Sequence, residues 1–244
     1  MDLQAEAGRN FARHIEQNSY PGRGLVLGRS SDAAAWLQVY WIMGRSPNSR
    51  NRIFEAEGPT LRTAPHDPAA LRNPSLVIYE AMLELPGVHI VSNGDQSRTI
   101  HDEIASGGSF ESALATRERE PDAPNYTPRI SGLIDLREEE PAFALSLLKA
   151  NPADPDRTDR TTFRPAPPPP GLGLSLTTYQ GDGDPLPSFR GEPLWLPLEG
   201  DPEALGDRYW EGLDADNRVA LAVKRIPASG GPAEIFLWNR LAGS

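Results

Sequence analysis

The chain has 244 residues, of which 38% are hydrophobic, and a net charge of −10 at pH 7. It contains no cysteine, which excludes disulfides, thiolate nucleophiles and cysteine-ligated metals. The acidic balance argues against general nucleic-acid binding, because a phosphate backbone is held by a basic surface. We expect one domain spanning residues 1–244, since this length and hydrophobic content suit a single core.

Basic charge is concentrated near the start of the chain. Residues 1–52 contain seven arginines against four acidic residues, and all but two of the 24 basic residues in the chain are arginine. No apolar run approaches the roughly 20 residues that cross a bilayer, and the first residues form a charged amphipathic stretch rather than a signal segment. We therefore expect a cytoplasmic protein without membrane contact, and homo-oligomerisation stays open.

The first half of the chain predicts helices and hairpin strands in alternation. Leu3, Ala7, Phe11 and Ile15 recur every four residues and predict an N-terminal helix. Aromatic and β-branched content predicts strands at residues 24–28, 35–44, 52–56, 75–83 and 88–92. The following pattern predicts helices at residues 96–106 and 109–119, the second with Ser109 as N-cap.

The second half predicts further strands around one irregular segment. The predicted strands are residues 129–136, 142–150, 173–180, 218–226 and 233–239, with a helix at 201–213. Residues 151–170 are rich in proline, which favours a surface loop with little regular structure, dispensable for a site. Many strands, few helices and hairpin-like neighbours indicate an α+β fold with antiparallel sheets.

The segment GRSPNSRNR after the second predicted strand is the best candidate for an anion site. It carries Arg45, Arg50 and Arg52 around a turn that exposes backbone N–H groups. Guanidinium forks at such a turn suit a phosphate dianion, because each fork donates two parallel hydrogen bonds. Alternatively, these arginines lie on a solvated edge or pair with the abundant carboxylates.

Four other residues are weaker candidates, each with an ordinary structural interpretation. Arg23 lies between two glycines in a helix-to-strand turn, and Asn93 lies where a strand passes into a helix and a capping turn is equally suitable. Tyr79 falls in an apolar strand, where a tyrosine usually belongs to the core, and Arg129 follows a proline-fixed turn. No histidine has a partner at metal-ligand spacing, so we expect no metal site.

Taken together, several phrases resemble the archaeal-type IMP cyclohydrolase family. They are YPGRGLVLG, VYWIMGRSPNSRNRIF, NPSLVIYEAM, VHIVSNG and NYTPRISGLI, in this order. The resemblance covers roughly residues 20–136, and the remainder resembles the family only in its run of strands. The chain departs from the archaeal pattern in its N-terminal helix, its length and the lack of a carboxylate within NYTPRI.

The resemblance implies a four-layer αββα sandwich similar to the Ntn-hydrolase fold, without self-processing. It implies closure of 5-formamidoimidazole-4-carboxamide ribotide to IMP with loss of water, with no metal and no organic cofactor. The ligand would be this small purine ribotide. The implied pocket consists of Arg23, Arg45, Arg50, Arg52, Tyr79, Asn93 and Arg129. The residue that would act as carboxylate base is left undetermined.

The chemistry of ring closure assigns roles within this set. Negative charge develops on the former formyl oxygen, so a guanidinium or a phenol aimed there would stabilise the transition state. We assign Arg45 and Tyr79 to catalysis, and the other five residues to substrate binding. Arg45, Tyr79, Asn93 and Arg129 are then expected to converge on one cavity.

Two other functions remain open at this stage. An amide hydrolase on the same scaffold would require a processed serine or threonine at a new N-terminus, because fold does not fix function. A nucleotide-sensing protein would keep the anion pocket and lack turnover. Binding of IMP without conversion of the formamido precursor would favour this second alternative.

Overall fold

Two antiparallel sheets stacked face to face form the centre of the molecule. The computed structural model describes residues 2–70 and 77–241. The strands are β1 (Gly24–Arg29), β2 (Ala35–Met43), β3 (Arg52–Glu57), β4 (Thr60–Pro65), β5 (Glu80–Leu85), β6 (Val88–Ser92), β7 (Arg129–Asp135), β8 (Ala142–Ala150), β9 (Thr158–Phe163), β10 (Leu172–Thr177), β11 (Leu194–Pro197), β12 (Arg218–Pro227) and β13 (Glu234–Asn239). The first sheet has the order β11-β10-β1-β2-β12-β13, and the second runs β3-β4-β5-β6-β7-β8-β9.

Helices cover the outer face of each sheet. These covering helices are α1 (Leu3–Phe11), continued by a π-helical turn at Ala12–Glu16, α3 (Gln96–Ala105), α4 (Phe110–Ala115) and α5 (Pro202–Gly212). The short helix α2 (Pro47–Arg50) has no buried residue and lies in the turn between β2 and β3. A 3-10 turn lies at Pro68–Ala70. In the part of the chain with described structure, no helix combines the length and the apolar character that crossing a bilayer requires.

Three apolar clusters show the order of the layers. The cluster between the sheets joins Leu25, Leu27, Tyr40, Ile42 and Leu176 of the first sheet to Phe54, Met82, Val91, Ile130 and Leu145 of the second. Phe11, Ile15, Leu205 and Tyr209 cover the outer face of the first sheet. Ile100, Ile104, Phe110 and Leu114 cover the outer face of the second. The layers are therefore helix, sheet, sheet, helix, which confirms the α+β prediction and is compatible with an Ntn-like sandwich.

Most predicted elements are present, with shifts that packing explains. The N-terminal helix changes to a π-helical turn at Ala12, which keeps Ile15 buried at 1% exposure. Ser109 caps α4 as predicted and forms a reciprocal capping box with Ser112. The strand predicted at residues 75–83 begins only at Glu80, and its first two residues lie outside the described part of the chain. The sequence did not predict β4, β11 or α2.

The prediction of an irregular segment at residues 151–170 is wrong in its middle. Thr158–Phe163 forms β9, which pairs antiparallel with β8 along six residue pairs. Its threonines suit an extended edge strand. The strand itself contains no proline, whereas Pro152 and Pro155 precede it and Pro165 and residues 167–170 follow it. That the rest of the segment is dispensable for the site stays a prediction.

Substitution by alanine is expected to change the free energy of unfolding in opposite directions at two helical glycines. Ala normally stabilises a helix interior relative to Gly by about 1 kcal/mol. A Cβ on Gly206 of α5 would lie 2.0 Å from the Trp238 ring, whose indole N–H donates to Asp207 at 2.8 Å. Gly206→Ala should therefore lower the free energy of unfolding by about 1–3 kcal/mol. Urea denaturation measures this change.

Gly8→Ala is the matched control, because nothing lies within 4 Å of a Cβ built at this position of α1. It should raise the free energy of unfolding by about 0.5–1 kcal/mol. Equal effects of the two substitutions would contradict the close packing of Trp238 on α5.

Candidate active site

A polar cavity of about 260 Å³ opens at one end of the first sheet. In the strand register Gly24 faces both Trp41 and Thr177, so the start of β1 and the ends of β2 and β10 lie side by side. The segments flanking these strands meet at the cavity. Its lining residues are Tyr20, Gly22, Arg23, Met43, Arg45, Ser46, Ser49, Arg52, Asp122, Asn125, Thr127, Thr178, Tyr179 and Leu186.

The glycine before Arg23 permits close approach of two segments. Gly22 has φ +75°, and a Cβ on it would lie 2.2 Å from the Thr178 hydroxyl oxygen. That hydroxyl accepts a hydrogen bond from the Arg23 backbone N–H at 3.1 Å. The YPGRG phrase therefore ties the start of β1 to the end of β10, as glycine at such an approach allows.

The turn that carries the arginines is fixed by its own serines. Ser46 caps α2 and accepts from the Ser49 N–H at 3.1 Å, with Pro47 in the first turn. This backbone donor is therefore already used within the turn. The cations rather than the N–H groups of α2 remain for a ligand.

Arg52 is a buried cation that pairs with no carboxylate of residues 2–70 and 77–241. It is 1% exposed, and it donates to the Ser49 carbonyl at 2.8 Å and the Met43 carbonyl at 3.2 Å. Its Nη1 is buried and has no hydrogen-bond partner among the described residues. Burial lowers the pKa of Arg52, opposed by Tyr79. A buried charge needs compensation, so an anion in the cavity would supply what the protein does not.

Arg23, in contrast, is neutralised inside the protein. Its Nη1 pairs with the Glu120 carboxylate, which is 3% exposed, and lies 3.4 Å from the Asn93 carbonyl. Burial alone would lower the pKa of Arg23, but Glu120 and neighbouring tyrosines raise it well above the usual value. Burial raises the pKa of Glu120, against the influence of Arg23. The pair anchors Arg23 at the cavity wall.

Arg45 lies at the mouth of the cavity. Its side chain is 38% exposed and forms an ion pair with Asp182, which is 50% exposed. Its Nη1 also donates to the Gly183 carbonyl at 3.1 Å, and its guanidinium lies 4.9 Å from the centre of the Tyr20 ring. Water screens such an exposed pair, so Asp182 is a weak and exchangeable partner.

Tyr20 lies among the three cations of the cavity. It is 7% exposed and stacks on Tyr179, with ring centres 6.0 Å apart. Burial raises the pKa of Tyr20, while Arg23, Arg52 and Arg45 lower it. No protein group in residues 2–70 and 77–241 hydrogen-bonds the Tyr20 hydroxyl. This phenol is thus available to a ligand.

Tyr79 and Asn93 lie behind the cavity rather than on its wall. The Tyr79 hydroxyl is 2.7 Å from the Tyr40 hydroxyl. Asn93 is fully buried, donates to the Pro128 carbonyl at 2.8 Å and accepts from the Ile130 N–H at 2.8 Å. These bonds join the end of β6 to the start of β7.

Arg50 and Arg129 also make their contacts within the protein. Arg50 donates to the Gly44 carbonyl at 2.9 Å and to the Asn217 side chain at 3.2 Å. Arg129 donates to Asp95 and Gln96, both at 2.7 Å. Of the four residues expected to converge on one cavity, only Arg45 lines it. Of the seven predicted site residues, Arg23, Arg45 and Arg52 line it.

Sequence reasoning missed Tyr20, Glu120, Thr127 and Tyr179. Tyr20 and Thr127 lie inside phrases that carry the family resemblance, so that resemblance could have identified them as site residues. Glu120 lies upstream of NYTPRI, beyond the phrase in which a carboxylate was sought. Tyr179 follows β10, outside the region of resemblance, and nothing local marks it.

Groups of three or more metal-ligating side chains do not occur within residues 2–70 and 77–241. The expectation that the protein works without a metal or organic cofactor stays a prediction.

The Arg23–Glu120 pair should matter far more for stability than a surface pair. Glu120→Gln leaves a buried guanidinium without its counter-charge, so the free energy of unfolding should fall by about 3–5 kcal/mol. Chemical denaturation of the folded variant measures the loss.

The control is Glu111→Gln, which removes the bidentate but half-exposed partner of Arg164. This substitution should lower the free energy of unfolding by less than about 1 kcal/mol. A Glu120→Gln protein as stable as the control would show that Arg23 finds another partner.

A comparison with protein families supplies what geometry alone does not. Residues 20–230 match the family described as IMP cyclohydrolase-like protein. The match includes every residue that lines the cavity. The chain therefore belongs to the IMP cyclohydrolase-like protein family.

Proposed function

We propose that this protein closes 5-formamidoimidazole-4-carboxamide ribotide to IMP with loss of water. The observation that carries the proposal is Arg52 on the wall of a cavity in a member of this family, a buried cation that pairs with no acidic side chain in the described part of the chain. The substrate is a phosphate monoester that also develops negative charge during reaction. A site with one uncompensated and one exchangeable arginine suits both charges.

The exposed arginine is assigned to the substrate phosphate. Arg45 lies at the mouth, where its present partner Asp182 is half exposed. A phosphate dianion would take the place of the Asp182 carboxylate on the guanidinium fork, since it offers more charge and a better geometric match. Binding of the ribotide then includes displacement of the Asp182 loop tip.

The buried arginine is assigned to the chemical step. As the carboxamide nitrogen attacks the formyl carbon, charge grows on the formyl oxygen, and a guanidinium shielded from water stabilises it most. Arg52 therefore replaces Arg45 in this role. The water that leaves carries the formyl oxygen and two protons, which the carboxamide and formamide nitrogens lose. Tyr20, whose phenol bonds no described residue and lies among three arginines, is assigned to donate one proton to the departing oxygen and to regain it from these nitrogens.

The remaining predicted residues are assigned to positioning. Tyr79 lies close enough to Arg23 and Arg52 to influence their charge, and it bonds Tyr40 rather than facing the cavity. Asn93, Arg50 and Arg129 hold the segments that frame the site. We propose that they act on the substrate through this frame.

An assay of purified protein tests the proposal directly. The formamido ribotide should be converted to IMP, followed by ultraviolet absorbance, at the same rate with and without a chelator. Tight binding of IMP without any conversion would overturn the assignment to catalysis and favour a nucleotide-sensing protein. Loss of rate on chelation would overturn metal independence.

Steady-state kinetics separate the two arginines. Arg45→Gln removes an interaction shared by substrate and transition state, so KM should rise while kcat changes little. Arg52→Gln should lower kcat and kcat/KM together. The activation free energy should rise by about 2–4 kcal/mol, as for the loss of an oxyanion donor. Arg52→Lys should retain only part of the kcat that Arg52→Gln loses, because lysine lacks the planar guanidinium fork.

The two tyrosines provide the matched comparison. Tyr20→Phe should reduce kcat by roughly 10²–10⁴, as expected for a lost general acid, whereas Tyr79→Phe should cost much less. A larger effect at Tyr79 would return the catalytic role to that residue.

Asp182→Asn should act in the opposite direction to Arg45→Gln and lower KM, by up to about fivefold, because an exposed pair is worth at most about 1 kcal/mol.

A further inference from the structure

Three residues form a hydrogen-bonded chain that ends at the cavity wall. Asp122 accepts from the Thr127 N–H at 2.6 Å, and its second carboxylate oxygen contacts the Thr127 hydroxyl. The same hydroxyl lies 2.6 Å from the phenol oxygen of Tyr179. Thr127 and Tyr179 are 4% and 5% exposed, and all three residues line the cavity.

Only one direction of proton donation fits this chain. A carboxylate accepts hydrogen bonds and cannot donate them, so the single hydroxyl proton of Thr127 points to Asp122. The Thr127 oxygen then accepts from Tyr179, which uses its only proton. Burial raises the pKa of Tyr179, which keeps that proton on the phenol at neutral pH. The free lone pairs of the phenol oxygen are left for the cavity.

We infer that the Asp122–Thr127 pair makes Tyr179 a one-way hydrogen-bond acceptor that selects ligands presenting an N–H or O–H group at this wall. The three arginines of the cavity are donors only, so Tyr179 adds an acceptor to this wall. The inference rests on the proposed function for the identity of the ligand. A purine ribotide offers such a donor either on its base, at the carboxamide or the N1–H of IMP, or on its ribose.

The phenol oxygen of Tyr179 would reject a ligand that presents an acceptor instead of a donor, because two lone pairs would then face each other. A ring nitrogen without a proton would face the phenol oxygen with no hydrogen between them, and a buried acceptor left unpaired is costly. Sites built around a hydrogen bond reject analogues that lack its donor more strongly than apolar sites reject a change of size. Tyr179 would thus be a specificity-determining residue rather than a proton carrier.

Calorimetric binding of matched nucleotides tests the inference. Purine riboside 5′-monophosphate lacks the N1–H of IMP, and 2′-deoxy-IMP lacks one ribose hydroxyl. Wild-type protein should prefer IMP over one of the two analogues by at least about tenfold, and the preferred pair identifies the base or the ribose as donor. Thr127→Val should reduce that preference at least severalfold, and Thr127→Ser should retain it.

Asp122→Asn gives a sharper outcome, because it can reverse the chain. If the Asn amide oxygen keeps the Thr127 N–H, the amide NH₂ donates to the Thr127 hydroxyl. Thr127 then donates to Tyr179, and the phenol proton turns toward the cavity. The preference should move toward the analogue without the donor. Preferences unchanged in both Thr127→Val and Asp122→Asn would overturn the inference.

A measurement without ligand separates this inference from the proposed function. The tyrosine doublet in ultraviolet resonance Raman spectra reports whether a phenol donates or accepts a hydrogen bond. The Tyr179 signal should be of the donor type in the wild type and of the acceptor type in Asp122→Asn, and the difference spectrum of the two proteins should show this change. No spectral difference overturns the inference even if IMP is formed. A spectral difference in a protein that does not bind IMP supports the direction and overturns the proposed function.

Discussion

The site depends on one costly feature, the burial of the Arg52 guanidinium without a carboxylate. Removing such an ion from water costs several kcal/mol, so the surrounding scaffold must hold it in place. The Met43 and Ser49 carbonyls satisfy two of its nitrogens, because the end of β2 and the turn at α2 lie beside the start of β3. The remaining nitrogen, Nη1, is buried and has no hydrogen-bond partner among the described residues. The proposed function uses it as a preorganised donor.

The sandwich supplies the rigidity that this arrangement needs. Side chains of both sheets interlock between the layers, and a Cβ on Gly132 of β7 would come 2.8 Å from Leu27 of β1. The strands that end at the cavity therefore cannot slide relative to one another without disrupting the core. Irregular segments also line the cavity, since Asp122 and Thr127 precede β7 and Tyr179 follows β10. The proposed function assigns an exchangeable role to Asp182 alone.

Local patterns predicted the elements well and the site only in part. The hairpin of β1 and β2 and the Ser109 cap follow from short-range sequence. Arg23, Arg45 and Arg52 were candidates from local phrases and line the cavity, and their role toward a substrate stays a prediction. Tyr179 and Glu120 do not, because Tyr179 reaches the cavity and Glu120 reaches Arg23 through contacts between segments far apart in the chain. Asn93 and Arg129 were predicted to contact ligand, yet their side chains are bonded within the protein, a competition that sequence does not show. Strand β9 was hidden by flanking prolines.

The carboxylates near the cavity decide whether an acidic protein could hold the anionic ligand of the proposed function. Glu120 is buried with Arg23 and cancels its charge, whereas Asp182 holds Arg45 only in exposed surroundings that a ligand can compete for. Asp122 faces no arginine in an ion pair among the described residues and instead orients two hydroxyl groups. Of the three arginines that line the cavity, Arg52 is the one that pairs with no carboxylate of the described residues. The local charge is therefore set by how each arginine is paired, so a net charge of −10 and a phosphate site are compatible in one chain.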